Sequence, residues 1–224
     1  MKGRELIQLV RSEIDDEGQN HLWTDADLLE YMIDAQNEAC RRARLLVDSL
    51  NDRICNIKLN ASESHYKLDP RIIFIRRVKL SDYSIPLAKL RVRDLDGQLP
   101  GWESHTGQVR AWTTGYSGGY LTVYRKPDTS TYPTMPSIRL TVVRLPLVDA
   151  TADAELEIHP RFHRNLRHWM KFRAYSKEDG DTWNPAKAKL AYDLFEAEFG
   201  PASPAHVEEF IDEQYSYEDD QGLY

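Results

Sequence analysis

At 224 residues the chain is long enough for one large domain, or for a core domain carrying a smaller insertion. Its 41% hydrophobic and 29% charged residues are an ordinary folded balance, and a net charge of −7 argues against attraction to nucleic acid by the overall field. No apolar run approaches the ~20 residues that span a bilayer, residues 1–18 lack the apolar core of a signal peptide, and Cys40 and Cys55 have neither CxxC nor metal-type spacing. An intracellular, reduced protein with no membrane partner is expected.

Gly3 to Glu17 carries Leu6, Ile7, Leu9, Val10 and Ile14 and predicts a short amphipathic helix. Its acidic end, Asp15 to Glu17, opposes the helix dipole, so it should fray unless packed. Leu22 to Leu50 then reads as one long helix of ~40 Å at 1.5 Å per residue. Thr24 is suited to the N-cap, Asp25 and Asp27 to the first turn, and Trp23 with Leu28 to a hydrophobic staple. Leu28, Met32, Ala35, Ala39, Ala43, Leu46 and Leu50 form one apolar stripe, and Leu29, Ile33, Cys40 and Val47 a second beside it. Two stripes, one built on alanines that permit close approach, predict packing on more than one side, either within the domain or against another subunit.

The period then switches. Residues 54–62 and 65–69 read as a hairpin, and 71–80 as a central strand rich in β-branched residues. A polar connection with Pro86, Asp94, Asp96, Gly97 and Pro100 leads to strands at 109–114, 119–125 and 137–146. Three prolines mark 126–137 as loop. Helix returns at 159–180, with Phe162, Leu166, Trp169, Met170 and Ala174 on one face. Asn184-Pro185 opens the next helix and Gly200-Pro201 closes it. Ser203-Pro204 starts a third, carrying Val207, Phe210 and Ile211, and 214–224 is acidic, tyrosine-bearing and aperiodic, the composition of a segment disordered when alone. The expected fold is α+β: a helical bundle from 1–51 and 149–213, an inserted antiparallel β sandwich or barrel over 52–148, and a tail at 214–224.

Three patterns touch on chemistry. Gly115 to Gly119 matches GxSxG around Ser117, but a nucleophile elbow needs a helix after the serine, and here a strand follows. His159 and His163 have the i,i+4 spacing of a zinc pair, with His168 nearby, yet there is no HExxH and no evident third ligand. Arg161, Arg164, Arg167, Lys171, Arg173 and Lys177 make one helix basic, open to three readings: an ion-paired face, a nucleic-acid reader, or a complement to the acidic segment 207–224. No phosphate loop, dinucleotide fingerprint or nucleophile–base pair is present. No catalytic, cofactor or metal residue is assigned.

Several stretches together resemble the head–tail adaptor (connector, head-completion) proteins of tailed bacteriophages. They are LWTDADLLEYMIDAQNEACRRARLLVDS, RIIFIRRVKL, the IPL at 85–87, LDGQLPGWES with TGQVRAW, LTVYRKPD, LTVVRLP, and the helical pair HPRFHRNLRHWMKFRAYSKEDGDTWNPAKAKLAYDLFEAEFG. The resemblance covers about residues 20–200 and rests on the order of loose motifs. It implies a non-enzymatic protein in a homo-oligomeric ring, usually twelve-fold, under the portal vertex of the virion, assembled in the host cytoplasm. Genomic DNA would pass through without sequence-specific contact. The portal would be met by the tail through Phe210, Ile211, Tyr215, Tyr217 and Tyr224. Subunit contacts would fall at Ala35, Ala39, Arg42, Ala43, Arg164, Arg167 and Lys171. The next component, a tail, nozzle or tail-terminator protein, would meet Tyr116, Ser117 and Tyr132. The alternatives are a DNA-binding accessory protein using 161–177, or a hydrolase or metalloenzyme.

Overall fold

The computed structural model describes residues 1–178 and 180–202, and these fold as an α+β protein. They form two compact units. Among the described residues, one is helical, built from 1–46 and 145–202; the other, Val47–Arg144, holds the sheets.

Helix α1 (Gly3–Glu13) buries Leu6, Ile7 and Val10 on one face, and Glu5 accepts a hydrogen bond from the Lys2 amide at 3.0 Å. It stops before the acidic run because Asp15 turns left-handed (φ 59°). The packing that its acidic end needs is present. Asp16 is buried and accepts from the Arg11 guanidinium and from the Leu22 amide at 2.8 Å, so the acid fastens the end of the helix. Helix α2 (Asp25–Ala43) opens on a reciprocal capping box: Thr24 accepts from the Asp27 amide at 3.1 Å, and Asp27 accepts from the Thr24 amide at 3.0 Å. It is shorter than expected. Arg44 takes the left-handed conformation (φ 53°), and the chain continues as strand β1 (Leu46–Asp48), leaving Leu50 87% exposed. The leucine spacing past Ala43 fits a helix, but the backbone there serves a sheet.

A single turn α3 (Asp52–Cys55), capped by Asn51 accepting from the Arg53 amide, leads into β2 (Asn56–Lys58). Strands β3 (His65–Lys67), β4 (Ile72–Leu80) and β5 (Ala88–Lys89) follow, then helix α4 (Val92–Gln98) and a 3₁₀ turn at Trp102–Ser104. Strands β6 (Ala111–Thr113), β7 (Tyr120–Tyr124) and β8 (Ser137–Arg144) complete the unit. The strands make two four-stranded sheets and, among the described residues, no closed barrel. In one, β8 pairs with β1, β2 and β4; the other runs β3-β7-β6-β5. The expected hairpin is therefore absent, since β2 pairs with β8 and β3 with β7. The central strand is β8, whose Ile138, Leu140, Val142 and Val143 are fully buried. Strand β4 lies antiparallel along it with two register shifts. The stretch 86–100 is more than a connection. Leu95 of α4 and Trp102 pack with Ala111 and Tyr124 as a small core, and the Trp102 indole donates to Asp96 at 2.8 Å.

In the helical unit, 159–180 divides into a 3₁₀ stretch at Pro160–Asn165 and helix α5 (Leu166–Tyr175). Helix α6 (Pro185–Phe199) has Asn184 as its cap, accepting from the Lys187 amide at 3.0 Å, proline in its first turn and Gly200 (φ 88°) as its stop. Leu28, Met32, Ala35 and Ala39 of α2 share one core with Leu166, Met170 and Ala174 of α5 and with Ala188, Phe195 and Phe199 of α6. The third helix expected at 203–204 lies outside the described residues.

Candidate functional site

The basic helix is matched by acids of its own unit. Arg167 and Lys171 both reach Glu13 of α1, at 3.4 and 2.7 Å; Arg173 pairs with Asp34 of α2, and Lys177 lies 3.7 Å from Asp27. Hydrogen bonds from Thr24, helped by Lys177, hold the Asp27 carboxyl below its ordinary range. Arg161 is exposed and lies over the Phe162 ring at 4.4 Å, and Arg164 is exposed. Most of the cations that a phosphate backbone would need are thus engaged by carboxylates.

Three of the residues expected at a subunit boundary are spent inside the chain. Ala35 and Ala39 are fully buried in the core, because the close approach their small side chains permit is used by the chain's own helices. Arg42 is enclosed too, its side chain 2% exposed. Its guanidinium donates to Glu38 at 2.6 Å, to the Gly200 carbonyl at 3.2 Å and to the Tyr192 hydroxyl at 3.3 Å. It also stands 5.2–5.3 Å from the ring centres of Trp169, Tyr192 and Phe195. Burial would raise the Glu38 carboxyl, but hydrogen bonds from Arg41 and Arg42 outweigh it and hold the group low. Ala43 is half-buried, as are Arg167 and Lys171.

Where α5 meets α6 the surface opens into a groove of about 390 Å³, walled by Phe172, Tyr175, Trp183 and Tyr192. Lys189 and Asp193 pair at its lip at 3.0 Å, and Lys187 lies over the Tyr175 ring at 5.2 Å. Trp183 is 60% exposed, and on the outer side of α6 Leu190 and Leu194 are 62% and 41% exposed. The sequence reading missed this face. Its signal was present: Ala188, Ala191, Phe195 and Phe199 supply the buried period of α6, and Leu190 and Leu194 fall off it.

In the β unit, Tyr116 stacks on His65 at 5.0 Å and meets Trp102 edge-on at 5.4 Å, remaining 44% exposed. Ser117 is exposed in the turn between β6 and β7, its carbonyl accepting from the Tyr120 amide, and the strand after it denies the serine an elbow. Tyr132 is 6% exposed. Its hydroxyl accepts from the Val109 amide at 3.1 Å, which makes it an internal pin and removes it from any outer contact.

His159, His163 and His168 are not brought together as ligands. His159 accepts from the Arg161 amide as a cap, and the buried His163 bonds the Ile158 carbonyl at 2.7 Å. Burial lowers the pKa of both His163 and His168. Among the described residues, no group of three His, Cys, Asp or Glu is placed to hold an ion, and no helix is long and apolar enough to cross a membrane. Phe210, Ile211, Tyr215, Tyr217 and Tyr224 lie outside the described residues.

A comparison with curated proteins gives no match. The family model described as SU10 adaptor protein matches residues 1–209, and so takes in both units. An adaptor is a structural virion component that interacts with other virion components, which implies a non-enzymatic role. The chain belongs to the SU10 adaptor protein family of bacteriophage adaptor proteins.

Proposed function

We propose that this protein is the head-to-tail adaptor of a tailed phage. Its copies form a ring, twelve-fold as in the connectors it resembles, that docks under the portal, continues the DNA channel and presents an attachment surface to the next tail component. In this reading the chain is a helical bundle carrying 52–148 as an inserted β domain. The family match across both units is the observation that carries it.

Charge and surface support it. A net charge of −7 suits a passage through which DNA slides, because phosphate contacts would make transit adhesive and salt-dependent. The ion pairing of Arg167, Lys171, Arg173 and Lys177 points the same way. Residues left for subunit contact are Arg164, Ala43 and the outer parts of Arg167 and Lys171, with Tyr116 and Ser117 for the tail side. Phe210, Ile211 and the tail tyrosines would meet the portal.

Electron microscopy of the purified protein with and without its cognate portal tests this. Rings capping one end of the portal are expected. A folded protein that never associates with the portal at any salt concentration would overturn the reading. Steeply salt-dependent binding to duplex DNA would favour a DNA-binding accessory instead.

A further inference from the structure

The overall charge hides a division between the two units. Residues 47–144 carry fifteen Lys and Arg against nine Asp and Glu, a net +6, whereas 1–46 with 145–202 carry fourteen against twenty, a net −6. Part of the surplus in the β unit gathers on one sheet. Strands β2, β8 and β4 lie side by side, and their register sets Asn56, Arg139 and Lys79 in one row. Lys58 stands opposite Ser137 and Arg77 opposite Thr141 in the rows on either side. Side chains alternate between the faces of a sheet, so these residues share one face. Val78, Leu80, Ile138 and Leu140 take the other and are fully buried. Lys58, Arg77 and Arg139 are exposed, and Lys79 is half-buried.

One arrangement on this face works against the fold. Lys79 stands directly across from Arg139, and like charges so placed weaken a strand pair. Asp52 answers Arg139 at 2.6 Å and is itself largely exposed. Among the described residues, no carboxylate pairs with Lys58, Arg77 or Lys79. A sheet face of this kind is relieved by anionic groups brought from outside the chain.

We propose that the basic face formed by Lys58, Arg77, Lys79 and Arg139 docks the acidic helical unit of a second copy of this chain, at the carboxylates of 149–157. The complement is carried by every copy. Asp149, Asp153, Glu155 and Glu157 are exposed, and no Lys or Arg falls among them. Asp153 also meets the exposed Arg4. Leu156 and Ile158 are buried in alternation with Glu155 and Glu157, which brings those two acids to one side. Duplex DNA is the competing polyanion, but the −6 of the helical unit repels it while supplying the match for the +6 of the sheets. Each copy can give its basic face to one neighbour and its acidic strip to the next. Such head-to-tail contact is heterologous and closes into a ring where the rotation permits. The inference deepens the adaptor reading and rests on it for the ring. It also covers cations that would otherwise hold the phosphates of passing DNA.

The test is zero-length carbodiimide coupling of the free full-length protein, mixed in equal parts as unlabelled and heavy-nitrogen-labelled copies. Amide links from Lys58 or Lys79 to 149–157 are expected, with mixed-isotope pairs as frequent as the two pure kinds together. Arg77→Glu with Arg139→Glu keeps both lysines as reporters and should lower the mixed link about tenfold, as two exposed ion pairs turned to repulsion imply. Adding Glu155→Arg and Glu157→Arg should restore it, with Asp149 and Asp153 left to couple. Links confined to pure-isotope pairs would assign the face to its own chain and overturn the proposal. So would the absence of any link from these lysines to 149–157, or their shielding from acetylation by a short DNA duplex and not by added copies of the chain. Portal docking is read separately by electron microscopy. Rings on the portal without the mixed link remove this inference and leave the adaptor function standing; the mixed link without portal association does the reverse.

Discussion

Arg42 is where α2, α5 and α6 converge, and its charge is held by Glu38 while three rings surround it. Arg42→Ala should cost about 1.5–3 kcal/mol in urea unfolding, because it strips the three rings of their cation and leaves Glu38 to Arg41 alone. Arg42→Lys should recover only part, since an ammonium has no planar fork to serve Glu38, Gly200 and Tyr192 together. A loss within 0–1 kcal/mol for the alanine variant, the scale of an exposed pair, would mean the site is wetter than its geometry implies. The two buried histidines give a pH dependence. Burial holds His163 and His168 below their ordinary 6.5, so the unfolded chain takes up protons first as pH falls. Their contribution is full above 6.5 and is lost as pH drops below it towards the folded values. The urea midpoint should therefore fall between pH 7.5 and 5.5, and His168→Gln should flatten part of that slope. A midpoint unchanged over this window in the parent protein would refute it. The groups that face His168 electrostatically are Arg167 and Lys171, which favour its neutral form, and Glu13, which opposes them.

Among the elements, legibility followed how local the deciding force was. The start of α2 and both ends of α6 were readable because Thr24, Asn184, Pro185 and Gly200 act within a turn of their own positions. The end of α2 was not. Arg44 has no special claim to the left-handed conformation it adopts, and what fixes it lies far along the chain, in the pairing of β1 with β8. The false hairpin at 54–69 has the same origin: β2 and β3 are three-residue strands whose partners are β8 and β7, and nothing in their own residues names those partners. Helix α4 was hidden because it opens on Arg91 without a side-chain cap and carries Gly97. At the candidate site, the alanines of α2 correctly announced close packing but not against what. Ala39 is fully buried, and Ala39→Trp should cost at least about 1–3 kcal/mol by overpacking. Gly3→Ala should do similar damage at the start of α1, where a Cβ would sit 2.3 Å from the Thr151 carbonyl oxygen. Unchanged thermal unfolding of either variant would show that the helix can shift to make room.

For the whole molecule, the proposed division of labour gives a simple outcome. Deleting 203–224 should abolish portal binding while leaving circular dichroism and the cooperative unfolding of both units in place, because the core of the helical unit is already built by described residues that precede the deletion. Ser117→Ala should leave portal binding and ring formation unchanged.

The pairing of β1 with β8 has a further consequence. The chain passes into the β unit at β1 and out of it at β8, and these strands are hydrogen-bonded neighbours, with Asp48 and Arg144 joined at 2.8 Å across largely buried side chains. Entrance and exit are thus stitched into one doorway. A segment whose two ends meet can be cut out and the gap closed by a short linker. Residues 47–144 should fold as a free-standing protein, and a β unit of different sequence with the same paired ends should be accepted in its place. Such a cassette would let the β unit of an adaptor be exchanged while the helical unit stays as it is.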